Sequence, residues 1–219
     1  MQSREHFDHA LDALYTELYE LSRLTTTTIA QAMVALYGRD VAHAQQIIVD
    51  DQLINQREHA IEAHALSLIA TQQPVATDLR RLIAGIELAG ELERIADYAK
   101  AIAHFVIRDG SRLPAELPPA ITALAEQAIA MLDAAIAAFV GQDSAAAERL
   151  GVADDQIDGV YRQVEADLID RIERDGTAGH WAAGLLLVAH YLERIADRST
   201  NIAERIVFTL RGEVVELNP

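Results

Sequence analysis

The sequence predicts an all-α protein: a tandem repeat of two three-helix bundles, six long helices in all, with the first repeat over 1–110 and the second over 111–219. Three observations predict it. The hexapeptide Leu92-Glu93-Arg94-Ile95-Ala96-Asp97 returns unchanged as Leu192-Glu193-Arg194-Ile195-Ala196-Asp197, 100 positions later, a period long enough for a whole domain. The chain is 51% apolar but only 5% aromatic. Its Ala- and Leu-rich mixture favours packed helices over sheets. Apolar residues recur at spacings of three and four, and strand-like alternation is essentially absent.

The first helix is expected over 5–37. It runs into Tyr37-Gly38-Arg39-Asp40, where Gly can take the left-handed conformation that ends a helix and Asp can cap the next. The second helix, 40–71, stops at Gln72-Gln73-Pro74. The third, 75–109, has the clearest stripe, running from Leu79, Leu82 and Ile86 through Leu92, Ile95 and Ala99 to Ile102 and Val106. A near-heptad stripe of this kind is a bundle core. Pro114, Pro118 and Pro119 mark the junction, because proline is tolerated at helix starts. Helices over 115–140, 143–174 and 177–211 then repeat the plan. Val140-Gly141-Gln142-Asp143 stands 103 residues after Tyr37-Gly38-Arg39-Asp40. The offset falls to 100 by the hexapeptide, so the second repeat has lost three residues around Asp175-Gly176-Thr177.

Eighteen basic against 34 acidic side chains leave a formal charge of −16. That argues against phosphate-backbone contacts with nucleic acid and against adhesion to anionic lipid. Cations and basic protein surfaces become the plausible partners. The chain has no cysteine, which removes disulfides, thiol catalysis and thiolate zinc sites. Met1 to Asp12 lacks the apolar core of a secretory signal. Uncharged apolar runs reach only about 12 residues, too few to span a bilayer. The expectation is a cytoplasmic protein without membrane insertion.

The last helix carries an acidic stripe, Glu193, Asp197, Asn201 and Glu204, which stays within a narrow arc at the helical repeat. Several oxygens on one face are what hard cations take. His190 stands three residues before Glu193. The equivalent positions in the first repeat are Glu93, Asp97, Ala101 and His104. The middle helix offers Asp154 and Asp158, matched by Asp51 and Asn55. In an antiparallel bundle the start of the second helix lies beside the end of the third, so the two sets can converge. Ordinary uses of the same charges stay open: Arg94 and Arg194 can pair with them, and Asp154 and Asp158 suit a helix start. His6, His9, His43, His59, His64 and His180 show no convergent spacing and read as surface or packing residues. Thr25 to Thr28 is a β-branched run that weakens a helix locally. Trp181 reads as a core anchor.

Four stretches together resemble the PhoU family of phosphate-transport regulators. They are Gln73-Pro74-Val75-Ala76-Thr77-Asp78-Leu79-Arg80, Leu92 to Asp97, Tyr191 to Glu204, and Thr209 to Glu216. The resemblance spans the chain and implies two three-helix bundles in tandem. It also implies a cytoplasmic, often dimeric protein that helps to shut down phosphate-starvation signalling when phosphate is plentiful. The implied partners are the sensor histidine kinase and the ATP-binding subunit of the phosphate transporter. Some members bind multinuclear metal clusters at E/D-x-x-x-D pairs. Those pairs map onto Glu93 and Asp97 with Asp51 and Asn55, and onto Glu193 and Asp197 with Asp154 and Asp158. Ala96 and Ala196 stand where the family usually has Gly. Asn55, Ala101 and His104 leave the first-repeat site with fewer oxygens, so the second is expected to be the better one.

The expected function is a metal-binding regulatory adaptor without catalysis. Hard oxygen ligands point to Mg²⁺, Mn²⁺ or iron, with Zn²⁺ entering only if His104 or His190 takes part. One alternative is a di-iron oxidase or ferroxidase, but that chemistry draws on Glu-x-x-His motifs and this chain has none. Another is a metal-free helical scaffold. Direct phosphate binding is disfavoured, because no glycine-rich loop opens a helix and no Arg/Lys cluster is present.

Overall fold

The computed structural model describes residues 2–218, with side chains from Glu5 onward. Helix α1 spans Gln2–Gly38, α2 Val41–Gln72 and α3 Thr77–Asp109, followed by a 3-10 turn at Gly110–Arg112. The second repeat holds α4 Pro119–Gly141, α5 Ser144–Glu148, α6 Leu150–Arg174 and α7 Gly179–Arg211. No strand occurs among the described residues. The six expected rods are all present. The fifth is interrupted at Arg149, whose ψ of −17° is shallower than the helical value of about −42°. The fourth starts at Pro119 rather than at 115, since the fixed φ of proline suits the first helical position.

The two tight turns are built alike, though not on their glycines. Asp40 N–H donates to Ala35 O at 2.9 Å and Arg39 N–H to Leu36 O at 3.3 Å. Asp143 N–H donates to Ala138 O at 3.0 Å and Gln142 N–H to Phe139 O at 3.2 Å. Each pair is a Schellman closure. The residue at positive φ is therefore Arg39 (54°) or Gln142 (50°), while Gly38 and Gly141 remain inside their helices. Each aspartate then turns to the next helix. The Asp40 carboxylate accepts from His43 N–H and that of Asp143 from Ala146 N–H, both at 2.9 Å. One residue thus closes one helix and caps another.

Helices α3 and α7 form the seam between repeats and run antiparallel. Glu91 meets Arg198 at 3.2 Å, Tyr98 stacks on Tyr191 with ring centroids 6.0 Å apart, and Asp109 meets His180 at 2.7 Å. Arg80 Nε donates to Thr209 O at 3.4 Å. A shift of 100 residues exchanges these contacts in pairs: Glu91–Arg198 with Tyr191–Tyr98, and Asp109–His180 with Thr209–Arg80. The repeats therefore face each other across an approximate two-fold, with the hexapeptides at the middle of the seam. Leu92, Ile95, Leu192 and Ile195 are fully buried there.

Three readings change. By length and composition α4 is apolar enough to cross a membrane, because only Glu126 and Asp133 interrupt it; half of its apolar window is buried inside the fold. Ile121, Leu124, Leu132 and Ile136 belong to the core, packed against α7, α6 and α1. Trp181 lies at the core's edge rather than within it, with the Arg171 guanidinium 5.7 Å from its ring. The threonine run does not break α1. Thr27 and Thr28 hydroxyls donate back to Arg23 and Leu24 carbonyls at 2.7 and 2.9 Å, and buried Thr25 reaches Leu92 O at 3.4 Å.

Candidate metal centre

In the second repeat α6 supplies Asp154 and Asp158, and α7 supplies Glu193 and Asp197. Four-residue spacing puts each pair on one helix face. Packing of α6 on α7 brings the four carboxylates within electrostatic reach of one another. Asp154 is 3% exposed. Burial, then repulsion from Asp197, Asp158 and Asp155, pushes its carboxyl up to about 7. Burial, then repulsion from Asp197, likewise pushes Glu193 up to about 7, against the pull of Arg194. Asp197 is raised by burial and by Asp158, with Arg194 and Arg198 opposing.

Partners do not satisfy this group. Asp154 Oδ1 and Glu193 Oε2 are buried without a hydrogen bond. His190 Nδ1 lies 3.5 Å from Glu193 Oε2, too far for a good bond. Asp197 is better served: Arg194 pairs with its Oδ2, and Asn218 Nδ2 donates to its Oδ1 at 2.9 Å. Asn201 and Glu204, expected on the same stripe, have partners elsewhere. Asn201 donates to Glu91 at 3.4 Å, and Glu204 accepts from Leu217 N–H at 2.8 Å. The chain after α7 thus lies against both α7 and the start of α6, where Leu217 O sits 2.9 Å from the place a Cβ on Gly151 would occupy.

The first repeat assembles the matching residues differently. Asp51 on α2 is 4% exposed. Glu93 is pushed up by burial, then by Asp97, Glu58 and Asp51. The difference is Lys100. Its Nζ donates to Asp51 Oδ2 at 2.6 Å and to Asp97 Oδ1 at 3.4 Å. Asn55 Nδ2 stands 3.5 Å from Asp51 Oδ2. The repeat mate of Lys100 is Thr200, whose hydroxyl donates to Asp197 O at 2.6 Å. His104 is exposed on α3.

Two features escaped the spacing argument. Glu58, His59 and Glu62 have ligand atoms within 4.8 Å of one another. Positions 51, 55, 58 and 62 recur at four, three and four, so the stripe on α2 was extendable from the sequence. His180 is not a bystander. It closes a cluster on buried Asp109 with Arg108 and with Arg112, the latter at 3.1 Å. Hydrogen bonds from His180, then from Arg108, hold the Asp109 carboxyl below its usual range against the effect of burial. A groove of about 660 Å³ lies apart from both acidic sites, lined by Pro118, Pro119, Arg171 and Trp181 among others.

The donor chemistry of the second site fits a hard cation. Two buried carboxylate oxygens lack any donor, and two further carboxylates stand beside them. A bound divalent cation would offset the mutual repulsion of these carboxylates and give the unpartnered oxygens a ligand, the setting in which hard metal ions bind carboxylates.

Comparison with known proteins gives a consistent answer. A sequence profile of the PhoU domain matches residues 18–106 and again 121–206. The phosphate-specific transport system accessory protein PhoU homolog of Rhizobium meliloti is 32% identical over 207 residues, covering 94% of this chain and 87% of that protein. Its namesake in Clostridium acetobutylicum is 30% identical over 217 residues, covering 99% of both. The crystal structure of PhoU from Pseudomonas aeruginosa superposes with a TM-score of 0.89 at 27% identity, covering 94% of this chain and all of that one. The phosphate transport system regulatory protein PhoU from Streptococcus pneumoniae gives 0.87 at 28% identity, covering 96% and 99%. With the matched domain occurring twice and both solved structures sharing the whole fold, the chain belongs to the PhoU family.

Proposed function

We propose that the protein is a metal-binding regulatory adaptor of phosphate transport, acting in the cytoplasm as a homodimer and carrying no catalysis of its own. It represses the phosphate-starvation response when phosphate is plentiful, through contacts with the sensor histidine kinase and the ATP-binding subunit of the phosphate transporter. The relatives' names support the link to phosphate-specific transport. The formal charge of −16 supports a basic or metal-bridged partner surface.

One observation carries the metal reading: Asp154 Oδ1 and Glu193 Oε2 are buried, close to other carboxylates, and without donors. Asp154, Asp158, Glu193 and Asp197 would hold the ion. A bound Mn²⁺, Mg²⁺ or iron supplies the positive charge these oxygens lack. Elemental analysis after dialysis at low micromolar metal tests it. Wild-type protein retains metal and Asp197→Ala loses it, while helical content stays near wild type. Equal metal in both proteins would leave the carboxylates as a metal-free acidic face. For the partners, a pull-down that recovers neither kinase nor transporter ATPase counts against the adaptor reading.

A further inference from the structure

We propose that the first repeat carries its own cation: the Lys100 ammonium occupies the acidic site between Asp51 on α2 and Asp97 on α3, so that metal binds at the four carboxylates of the second repeat and not between Asp51 and Asp97. The inference rests on the metal reading of the second site and concerns the difference between the two.

The observations are local and paired. Asp51 is as buried as its mate Asp154, 4% against 3% exposed. Asp154 has a buried oxygen without a donor, whereas Asp51 receives Lys100 Nζ at 2.6 Å and the Asn55 amide at 3.5 Å. The same ammonium reaches Asp97 at 3.4 Å, so one positive charge bridges the carboxylates of both helices. At the matching place in the second repeat, Thr200 turns its hydroxyl back to the backbone. The second difference lies at position 55. Asn55 replaces the carboxylate of Asp158 and offers an amide donor toward Asp51. A divalent ion entering between Asp51 and Asp97 would meet an ammonium already in contact with both. It would have to expel that cation from a largely buried salt bridge, and at the Asn55 position it would meet an amide where the second site offers the Asp158 carboxylate.

The sequence places the device within reach of a simple exchange. Lys100→Thr installs the residue of the second repeat, and adding Asn55→Asp restores the carboxylate that Asp158 supplies there. The probe is Mn²⁺, read by metal per chain after dialysis and by calorimetric titration. Asp97→Ala in the wild-type background, a change at a half-exposed side chain, is expected to leave metal content unchanged. The double variant Lys100→Thr/Asn55→Asp is expected to gain metal, roughly doubling the wild-type content as the first site opens. Adding Asp97→Ala to it removes the gain. Where the double variant folds poorly, recovery of its helical signal on adding Mn²⁺ reports the same site.

Metal lost from the wild type on Asp97→Ala overturns the inference, and so does a double variant that folds but gains none. A wild type that binds no Mn²⁺, beside a double variant that does, defeats the metal reading of the second site but leaves Lys100 as the block in the first.

Discussion

Arg198 reaches across the seam to Glu91 at 3.2 Å, in the place where the image contact of the other repeat is the stack of Tyr98 on Tyr191. Equivalent positions have thus diverged into one ionic and one aromatic contact. The ionic side is the more demanding. Glu91 is only 12% exposed at its side chain and also holds Arg94 at 3.0 Å and the Asn201 amide at 3.4 Å.

The first prediction follows. Glu91→Gln keeps the shape but removes the charge that gathers two guanidiniums and an amide. It should cost roughly 1–3 kcal/mol, the usual consequence of leaving half-buried charged donors unpaired. A urea titration measures the loss. A double-mutant cycle with Arg198→Met should return a positive coupling energy, because the residues touch; simple additivity would mean that the seam does not depend on this pair.

The second prediction separates two accounts of the α4 terminus. Gly141 is helical, and nothing lies within 4 Å of where its Cβ would stand. Gly141→Ala should therefore stabilise the protein by about 0.5–1 kcal/mol through the lower entropy of alanine in the unfolded chain. A left-handed glycine at this position would make the same substitution destabilising. Thermal unfolding decides by its sign.

The architecture was readable because duplication and helical period act along the chain. The hexapeptide fixed the repeat, and spacings of three and four marked the buried faces. Each Asp/Glu pair was legible for the same reason, since four residues apart is a local relation. What was not legible depends on contacts between helices. Asp97 and Lys100 are three apart on α3, but nothing local says that Lys100 also meets Asp51. His180 looked isolated until the antiparallel seam carried it to Asp109. Asn201 and Glu204 share an arc with Asp197, yet α3 claims one and the segment after α7 the other. The turns were placed correctly, and the left-handed residue missed by one, because a Schellman closure is set by which carbonyls remain free as much as by the position of glycine.

The third prediction concerns acid. Asp109 has a folded pKa below its ordinary value, because His180 and then Arg108 hydrogen-bond its carboxylate. Its contribution to stability is therefore complete above the ordinary carboxylate pKa of about 4 and lost as pH falls through the lower folded value. Asp109→Asn should destabilise the protein at neutral pH, with the difference from wild type shrinking below about pH 4. Melting curves from pH 2 to pH 7 check this. A difference that stays constant with pH would show that Asp109 acts through shape rather than charge.

Asp154 should show the opposite sign. In metal-free protein its carboxyl is raised to about 7, first by burial and then by Asp197 and Asp158. The folded chain then holds a proton that the unfolded chain has released above about pH 4. The contribution of Asp154 to stability must therefore fall as pH rises from about 4 through about 7, with the full cost present above that range. Asp154→Asn removes the ionisation without removing volume. In chelator at pH 8 the variant should melt above wild type, and near pH 4 the two should converge. The same variant should bind less Mn²⁺, because an amide cannot supply the anionic oxygen. A residue whose neutral form stabilises the empty protein and whose charged form holds the ion serves binding rather than folding. If Asp154→Asn instead lowers the melting point in chelator at pH 8, the carboxylate has a structural partner and the site is not under charge strain.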